Sequence, residues 1–201
     1  MKTYQYFVFP SLITEVVCDD YDRIRDDLIS WIYDYQSRNP EGAIASNRGG
    51  WQSVSSEPIE EDAFLYFKDY IALHASKVLN EIYPNQEFHL GNMWVNINRK
   101  GDYNVTHAHP MSSISGVFWV KTSENCGSLK FHNPHTFGQY ELICTMDDEM
   151  KKKSNFYELF GFPPQEGRLV LFPSELLHHV DVNESDEDRI SISFNLRMNY
   201  C

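Results

Sequence analysis

The sequence predicts a mainly β, α+β chain, built as a jelly-roll or cupin-like barrel with N-terminal helices packed on its outside. Two observations carry that prediction. From Glu87 onward, short runs alternate apolar and polar residues between turn residues, as antiparallel strands do. Before that point, two longer segments place apolar residues at three- and four-residue spacing, as amphipathic helices do. Seven or eight short strands after a helical part fit one barrel with a cavity at one end. A length of 201 residues suits a single domain, 1–201, in which 1–86 supply a strand and helices and 87–201 supply the β core.

Taken in chain order, Tyr4 to Phe9 alternate as a strand and Pro10 stops it. Asp19 and Asp20 are candidate caps for YDRIRDDLISWIYDYQSR, where Ile24, Leu28, Trp31, Ile32 and Tyr35 form a helical stripe. NPEGAIASNRGGWQS, rich in Gly, Asn and Ser, reads as an exposed loop. A second helix is expected from about Glu57 to Ile82, with Phe64, Phe67, Ile71, Leu73, Val78, Leu79 and Ile82 on its apolar face and Pro84 ending it. The candidate strands are HLGNMWVNINR, SISGVFWVK, SLKFHN, QYELIC, RLVLFP, HHVDVN and RISISFNLR. DDEMKKKSNFYELFGFPPQEG is long and charged, as a lid or solvated insertion would be, and Lys151, Lys152 and Lys153 read as its solvated face.

The net charge of −12 and a pI near 5.0 disfavour nucleic acid and anionic membranes as partners, because both are repelled at long range. No stretch approaches the length of a membrane span, and the N-terminus lacks the continuous apolar core of a signal peptide. Cys18, Cys126, Cys144 and Cys201 lie far apart and form none of the close pairs of zinc knuckles or redox motifs. A reduced, cytoplasmic setting follows as the expectation.

Chemistry concentrates in three places. In YNVTHAHPMSSISGVFWV, His107 and His109 stand two apart, so on an extended strand both imidazoles point to one face and reach one ion. About seventy residues later, His178 and His179 open another alternating run; being adjacent they face opposite sides, so only one joins the first pair. Three neutral imidazoles suit a divalent first-row metal and leave about half an octahedron free for a bidentate ligand and dioxygen. Arg189 and Ser191 share a strand face and offer a guanidinium fork beside a hydroxyl, a grip for a carboxylate. Such a pair can hold the far end of a 2-oxo diacid that chelates the metal.

The fragments THAHP, SISGVFWVK, GSLKFHNPH, GRLVLFPSELLHHV and DRISISFN, in that order, resemble the 2-oxoglutarate and Fe(II) dependent oxygenases of the double-stranded β-helix superfamily. The resemblance runs from about Asn92 to Asn195, and SNRGGWQS upstream also looks like a family element. It implies Fe(II) as the metal and 2-oxoglutarate as co-substrate, with His107 as first ligand, His178 as distant ligand and Arg189 with Ser191 as co-substrate clamp. His178 is chosen over His179 because the family pattern ends in His-x-Val. The departure is His109, which stands where the family carries Asp or Glu; losing that anion leaves the complex one charge more positive and makes zinc a stronger competitor. Four residues before His107, Tyr103 is expected to face the same interior and donate to the bound oxo acid, and Asn96 with Trp94 to line the same cavity.

The reaction implied is hydroxylation of a small-molecule or peptide substrate, with release of succinate and carbon dioxide. The competing functions are a cupin-like three-histidine or zinc site without 2-oxoglutarate, and a non-catalytic binding module on the same barrel. Arg189 discriminates against the first, since neither a three-histidine nor a zinc site of that kind needs a diacid clamp; metal content and uncoupled 2-oxoglutarate turnover separate the second. An ion pair from Arg189 to Asp186 or Asp188 is the plainer structural role. Ser112, Ser113 and Ser115 lack a base and orienting acid at recognisable spacing, His132 and His135 read as strand-end and loop residues, and His74 and His89 as structural. The N-terminal helices are compatible with a homodimer.

Overall fold

The computed structural model of the chain describes Lys2 and residues 11–55, 59–135 and 140–198; the expected strand Tyr4 to Phe9 lies outside them. Eleven strands and four α-helices are found among the described residues: β1 (Thr14–Val17), α1 (Arg25–Arg38), β2 (Asn47–Arg48), β3 (Trp51–Gln52), α2 (Asp62–Ile82), β4 (Phe88–Asn98), β5 (Tyr103–His107), β6 (Ile114–Lys121), β7 (Leu129–His132), α3 (Tyr140–Thr145), α4 (Asp148–Ser154), β8 (Leu159–Phe162), β9 (Arg168–Pro173), β10 (His178–Val180) and β11 (Arg189–Met198). They form an antiparallel jelly roll of two sheets, a major sheet ordered β1-β9-β6-β11-β4-β3 and a minor sheet ordered β2-β5-β10-β7-β8.

Strand alternation sorts the major sheet into two chemistries. Val95 and Ile97 of β4, Phe118 and Val120 of β6, Leu169 and Leu171 of β9, and Ile190, Ile192 and Phe194 of β11 are buried in one cluster with Leu28 and Ile32 of α1 and Phe64, Phe67, Ile71 and Leu79 of α2. That is the outer face, and the helices cover it. The intervening residues point inward: Trp119, Val170 and Phe172 pack with Leu129 and Phe131 of the minor sheet, while Asn96, Asn98, Arg189, Ser191 and Ser193 line a cleft. Burial on both sides explains why these strands read as near-continuous apolar runs broken by isolated polar residues. Phe118 is fully buried with ring contacts to Tyr21 (5.2 Å) and Tyr70 (6.2 Å), so Phe118→Ala is expected to cost about 3–5 kcal/mol, measured as a fall in the urea midpoint at unchanged m-value.

Several elements differ from expectation. QYELIC is not a strand: its core is helix α3, because a strand needs a partner and the position beside β7 is taken by β8, drawn from the insertion. The insertion also holds α4, capped by Asp147, whose Oδ1 accepts from the Met150 amide at 2.7 Å. Asp19 and Asp20 do not cap α1; a 3₁₀ turn at Tyr21–Arg23 intervenes and Asp20 accepts from the Tyr70 hydroxyl at 2.7 Å. Helix α2 begins at Asp62 rather than near Glu57, and Leu73 stands on its exposed side.

The loop SNRGGWQS is not simply exposed. It places β2 in the minor sheet and β3 in the major sheet, with Asn47, Trp51 and Gln52 buried. Gly49 (φ 68°) and Gly50 (φ 65°) make the crossing between sheets, in the left-handed region that glycine reaches without cost. With β1 beside β9, residues before position 87 thus supply strands to both sheets.

Candidate active site

Three imidazoles meet at one end of the cleft. His107 ends β5 and pairs directly with His178, the first residue of β10, so their rings lie 4.3 Å apart on one face of the minor sheet. His109 lies past the end of β5, tied down by its amide, which donates to the Ser174 carbonyl at 2.8 Å. Its ring stacks on His178 (5.1 Å, 5° between planes) and on Trp94 (5.6 Å, 23°). One ligand nitrogen from each of the three residues falls within 4.8 Å of the others. His109 Nε2 and His178 Nε2 are already 3.2 Å apart, the separation of two nitrogens on one ion with bonds of about 2.0–2.1 Å.

The backbone selects the tautomer. His107 Nδ1 lies 2.7 Å from the Val105 carbonyl and His178 Nδ1 lies 2.8 Å from the Leu176 carbonyl. A carbonyl only accepts, so each Nδ1 carries the proton and each Nε2 presents a lone pair to the cleft. Burial disfavours the cationic ring and lowers the pKa of His107, takes His109 to about 4 and takes His178 to about 3. All three are neutral and ligand-competent at neutral pH.

A stability consequence follows with a definite sign. The unfolded chain binds protons on these rings near the ordinary histidine value of 6.5, whereas the fold resists them down to about 3–4, so the unfolded state holds more protons in between. The metal-free protein is therefore expected to lose thermal stability as pH falls from about 6.5 towards 4, above the range where most carboxylates titrate. Scanning calorimetry of wild type beside His178→Asn checks this; the variant should show a flatter profile.

The other end of the cleft is cationic. Arg189, the first residue of β11, is 2 % exposed, and its Nη1 donates to the carbonyls of Cys126, Gly127 (3.2 Å) and Asp181 (3.2 Å). Its Nη2 is buried with no hydrogen-bond partner. The carboxylates of the preceding turn are engaged elsewhere, Asp186 with Lys100 and Asp188 with the Tyr33 hydroxyl, so neither neutralises the guanidinium. Burial lowers its pKa to about 10, and it remains charged. A buried cation with a free donor is costly unless an anion completes it. Ser191, two residues on, lines the same cleft.

Asn96 is buried in the cleft wall, with Nδ2 donating to Ser193 Oγ at 3.2 Å and Oδ1 without a partner. Tyr103 does not line the cleft. Between His107 and Asn104 of β5 stand two residues, Val105 and Thr106, opposite the single His179 of β10, with a register shift there. Such a bulge inverts the side-chain parity. Asn104 therefore faces the cleft, where its Nδ2 donates to Ser46 Oγ at 3.2 Å, and Tyr103 is exposed. Gly127 (φ 88°) was also not singled out; a Cβ there would collide with the Asp181 carbonyl and Arg189 Nη1, so glycine is what lets the chain close around the guanidinium. Its only local sign is the turn Asn125-Cys126-Gly127.

A jelly roll that brings three imidazoles able to hold a metal ion and a buried cation into one cleft has the form of a double-stranded β-helix site with room for an anionic co-ligand. The family model described as "Putative 2OG-Fe(II) oxygenase" matches residues 92–195, and the chain belongs to that family. It is thus an oxidoreductase whose cofactors are Fe(II) and 2-oxoglutarate.

Solved structures share the fold. A prolyl-4-hydroxylase from Pseudomonas putida superposes with a TM-score of 0.63 at 14 % identity, covering 94 % of this chain and 93 % of that one. HygX from Streptomyces hygroscopicus, with nickel and 2-oxoglutarate bound, gives 0.61 at 12 % identity, covering 92 % and 82 %. The viral collagen prolyl hydroxylase of Paramecium bursaria Chlorella virus-1, in its 2-oxoglutarate complex, gives 0.56 at 13 % identity, covering 94 % and 96 %. A search of curated proteins found no match. No described helix is long and apolar enough to cross a membrane.

Proposed function

We propose that the chain is a dioxygenase that hydroxylates a small-molecule or peptide substrate and converts 2-oxoglutarate to succinate and carbon dioxide. In this reading Nε2 of His107, His109 and His178 hold Fe(II), and Arg189 with Ser191 holds the distal carboxylate of 2-oxoglutarate. The observation that carries it is the buried Arg189, whose Nη2 lacks a partner in the cleft that the imidazoles share. When bound, the iron and 2-oxoglutarate supply the oxidative decarboxylation of the co-substrate and the activation of dioxygen.

The chain's own residues do the rest. Val105 and Leu176 hold two Nε2 lone pairs towards the ion. Trp94 and Phe172 (4.8 Å from the His178 ring) wall the site and exclude water, which strengthens the charge interactions within it. Arg189 neutralises the far carboxylate and, with Ser191, orients the co-substrate. Asn96 Oδ1 offers an acceptor to whatever donor enters beside them. A cytoplasmic location fits the scattered cysteines, of which Cys18, Cys126 and Cys144 are free among the described residues.

His109 in the carboxylate position favours a second reading, a zinc-holding module, because all three donors are neutral nitrogens. The deciding experiment is succinate formation from 2-oxoglutarate by anaerobically Fe(II)-loaded protein exposed to air. Turnover that disappears in His107→Ala supports the oxygenase reading. Tight zinc binding with no succinate from the iron-loaded protein would replace it with the module.

A further inference from the structure

The outer face of the minor sheet carries a histidine pair that the cleft does not use. His132 ends β7 and His179 is the middle residue of β10, on neighbouring antiparallel strands. Each follows an inward residue, Phe131 in the interior cluster and His178 in the cleft, so strand alternation turns both outward. Their nitrogens converge, with His132 Nε2 2.9 Å from His179 Nδ1.

The surroundings prepare one of these nitrogens as a ligand. His179 Nε2 lies 3.3 Å from Asp181 Oδ1, and Lys130 Nζ stands 3.8 Å from the other oxygen of that carboxylate. The carboxylate beside Nε2 favours the tautomer with the proton on Nε2, which leaves Nδ1 as a lone pair facing His132. A carboxylate at the far nitrogen of a histidine orients such rings around metal ions. On the third strand, Thr106 Oγ1 lies 3.3 Å from His132 Nε2.

We propose that His132 Nε2 and His179 Nδ1 form a second metal site, on the back of the strand that carries His178, for a late first-row divalent cation such as Zn²⁺. Two nitrogens bound at about 2.0–2.1 Å with angles between a right angle and the tetrahedral value stand about 2.9–3.4 Å apart, so the pair needs no closing movement. Without the ion, His132 donates its Nε2–H to His179 Nδ1; binding moves this proton to His132 Nδ1 and turns the two rings so that both lone pairs meet on the ion, with no change in charge. Water fills the remaining positions, and the Thr106 hydroxyl is placed to hydrogen-bond one such ligand. Mg²⁺ and Ca²⁺ are excluded, since they require oxygen cages. The site is independent of the oxygenase reading.

Equilibrium dialysis of chelator-stripped protein against Zn²⁺, with bound metal measured by atomic emission, tests it. Wild type should hold one more equivalent than His132→Gln, a variant on a different strand from His178, with folding checked by circular dichroism. Should that variant fold poorly, Asp181→Asn decides, with an expected loss of about 10–100-fold in affinity for the additional equivalent alone. Equal stoichiometry in wild type and folded His132→Gln, or unchanged affinity in Asp181→Asn, overturns the proposal.

Discussion

Replacing His178 with alanine is expected to remove both Fe(II) and turnover, whereas replacing its neighbour His179 is expected to leave both near wild type. His178 is 4 % exposed, pairs directly with His107, and has its tautomer set by the Leu176 carbonyl; His179 faces the other side of the same three-residue strand. A hydrogen-bond partner that orients a metal ligand is worth about 10–100-fold, and loss of the ligand itself should exceed that. Anaerobic iron titration and succinate release measure both. Retained turnover in His178→Ala would mean that the three imidazoles are not the iron site.

Arg189→Ala should act at the other end of the cleft. Truncating one partner of a buried, hydrogen-bonded charge pair costs about 2–5 kcal/mol, so KM for 2-oxoglutarate should rise about 30- to 5,000-fold. Iron affinity without co-substrate should not change, because Arg189 touches none of the imidazoles and its Nη1 contacts are the backbone carbonyls of residues 126, 127 and 181. Arg189→Lys keeps the charge and loses the fork, and should fall between the two. A parallel loss of iron affinity in Arg189→Ala would show that the residue holds the fold rather than the co-substrate.

The parts of the site that were legible in advance are those whose signal is local. Arg189 and Ser191 are two residues apart on β11, and the strand period alone says that the pair shares a face; His107 and His109 also meet in the cleft, although β5 ends at His107 and His109 is held there by its amide on the Ser174 carbonyl. The outer-face residues Val95, Ile97, Phe118, Val120, Ile190 and Ile192 follow the same rule, and all are buried beneath the helices. Tyr103 was misjudged because the rule was carried across a bulge, and a bulge exists only relative to the partner strand, here β10. QYELIC was misjudged for a related reason: its composition allowed a strand, and β8 occupied the side of β7 that β10 leaves.

By itself, then, the sequence determined the two long N-terminal helices and most of the strands after position 87, which face of each major strand is apolar, and the residue types that could meet an ion and a carboxylate. Those properties depend on neighbours within a few positions, where backbone period and side-chain chemistry suffice. Only the tertiary structure decided that the Arg189 guanidinium is seated on carbonyls 62 and 63 residues away, with its Nη2 left without a hydrogen-bond partner. It alone decided that Asn104 and not Tyr103 enters the cleft, and that His132 meets His179 behind it. These are facts about which strands lie side by side and in what register, and register is set by the packing of the whole barrel rather than by any one segment.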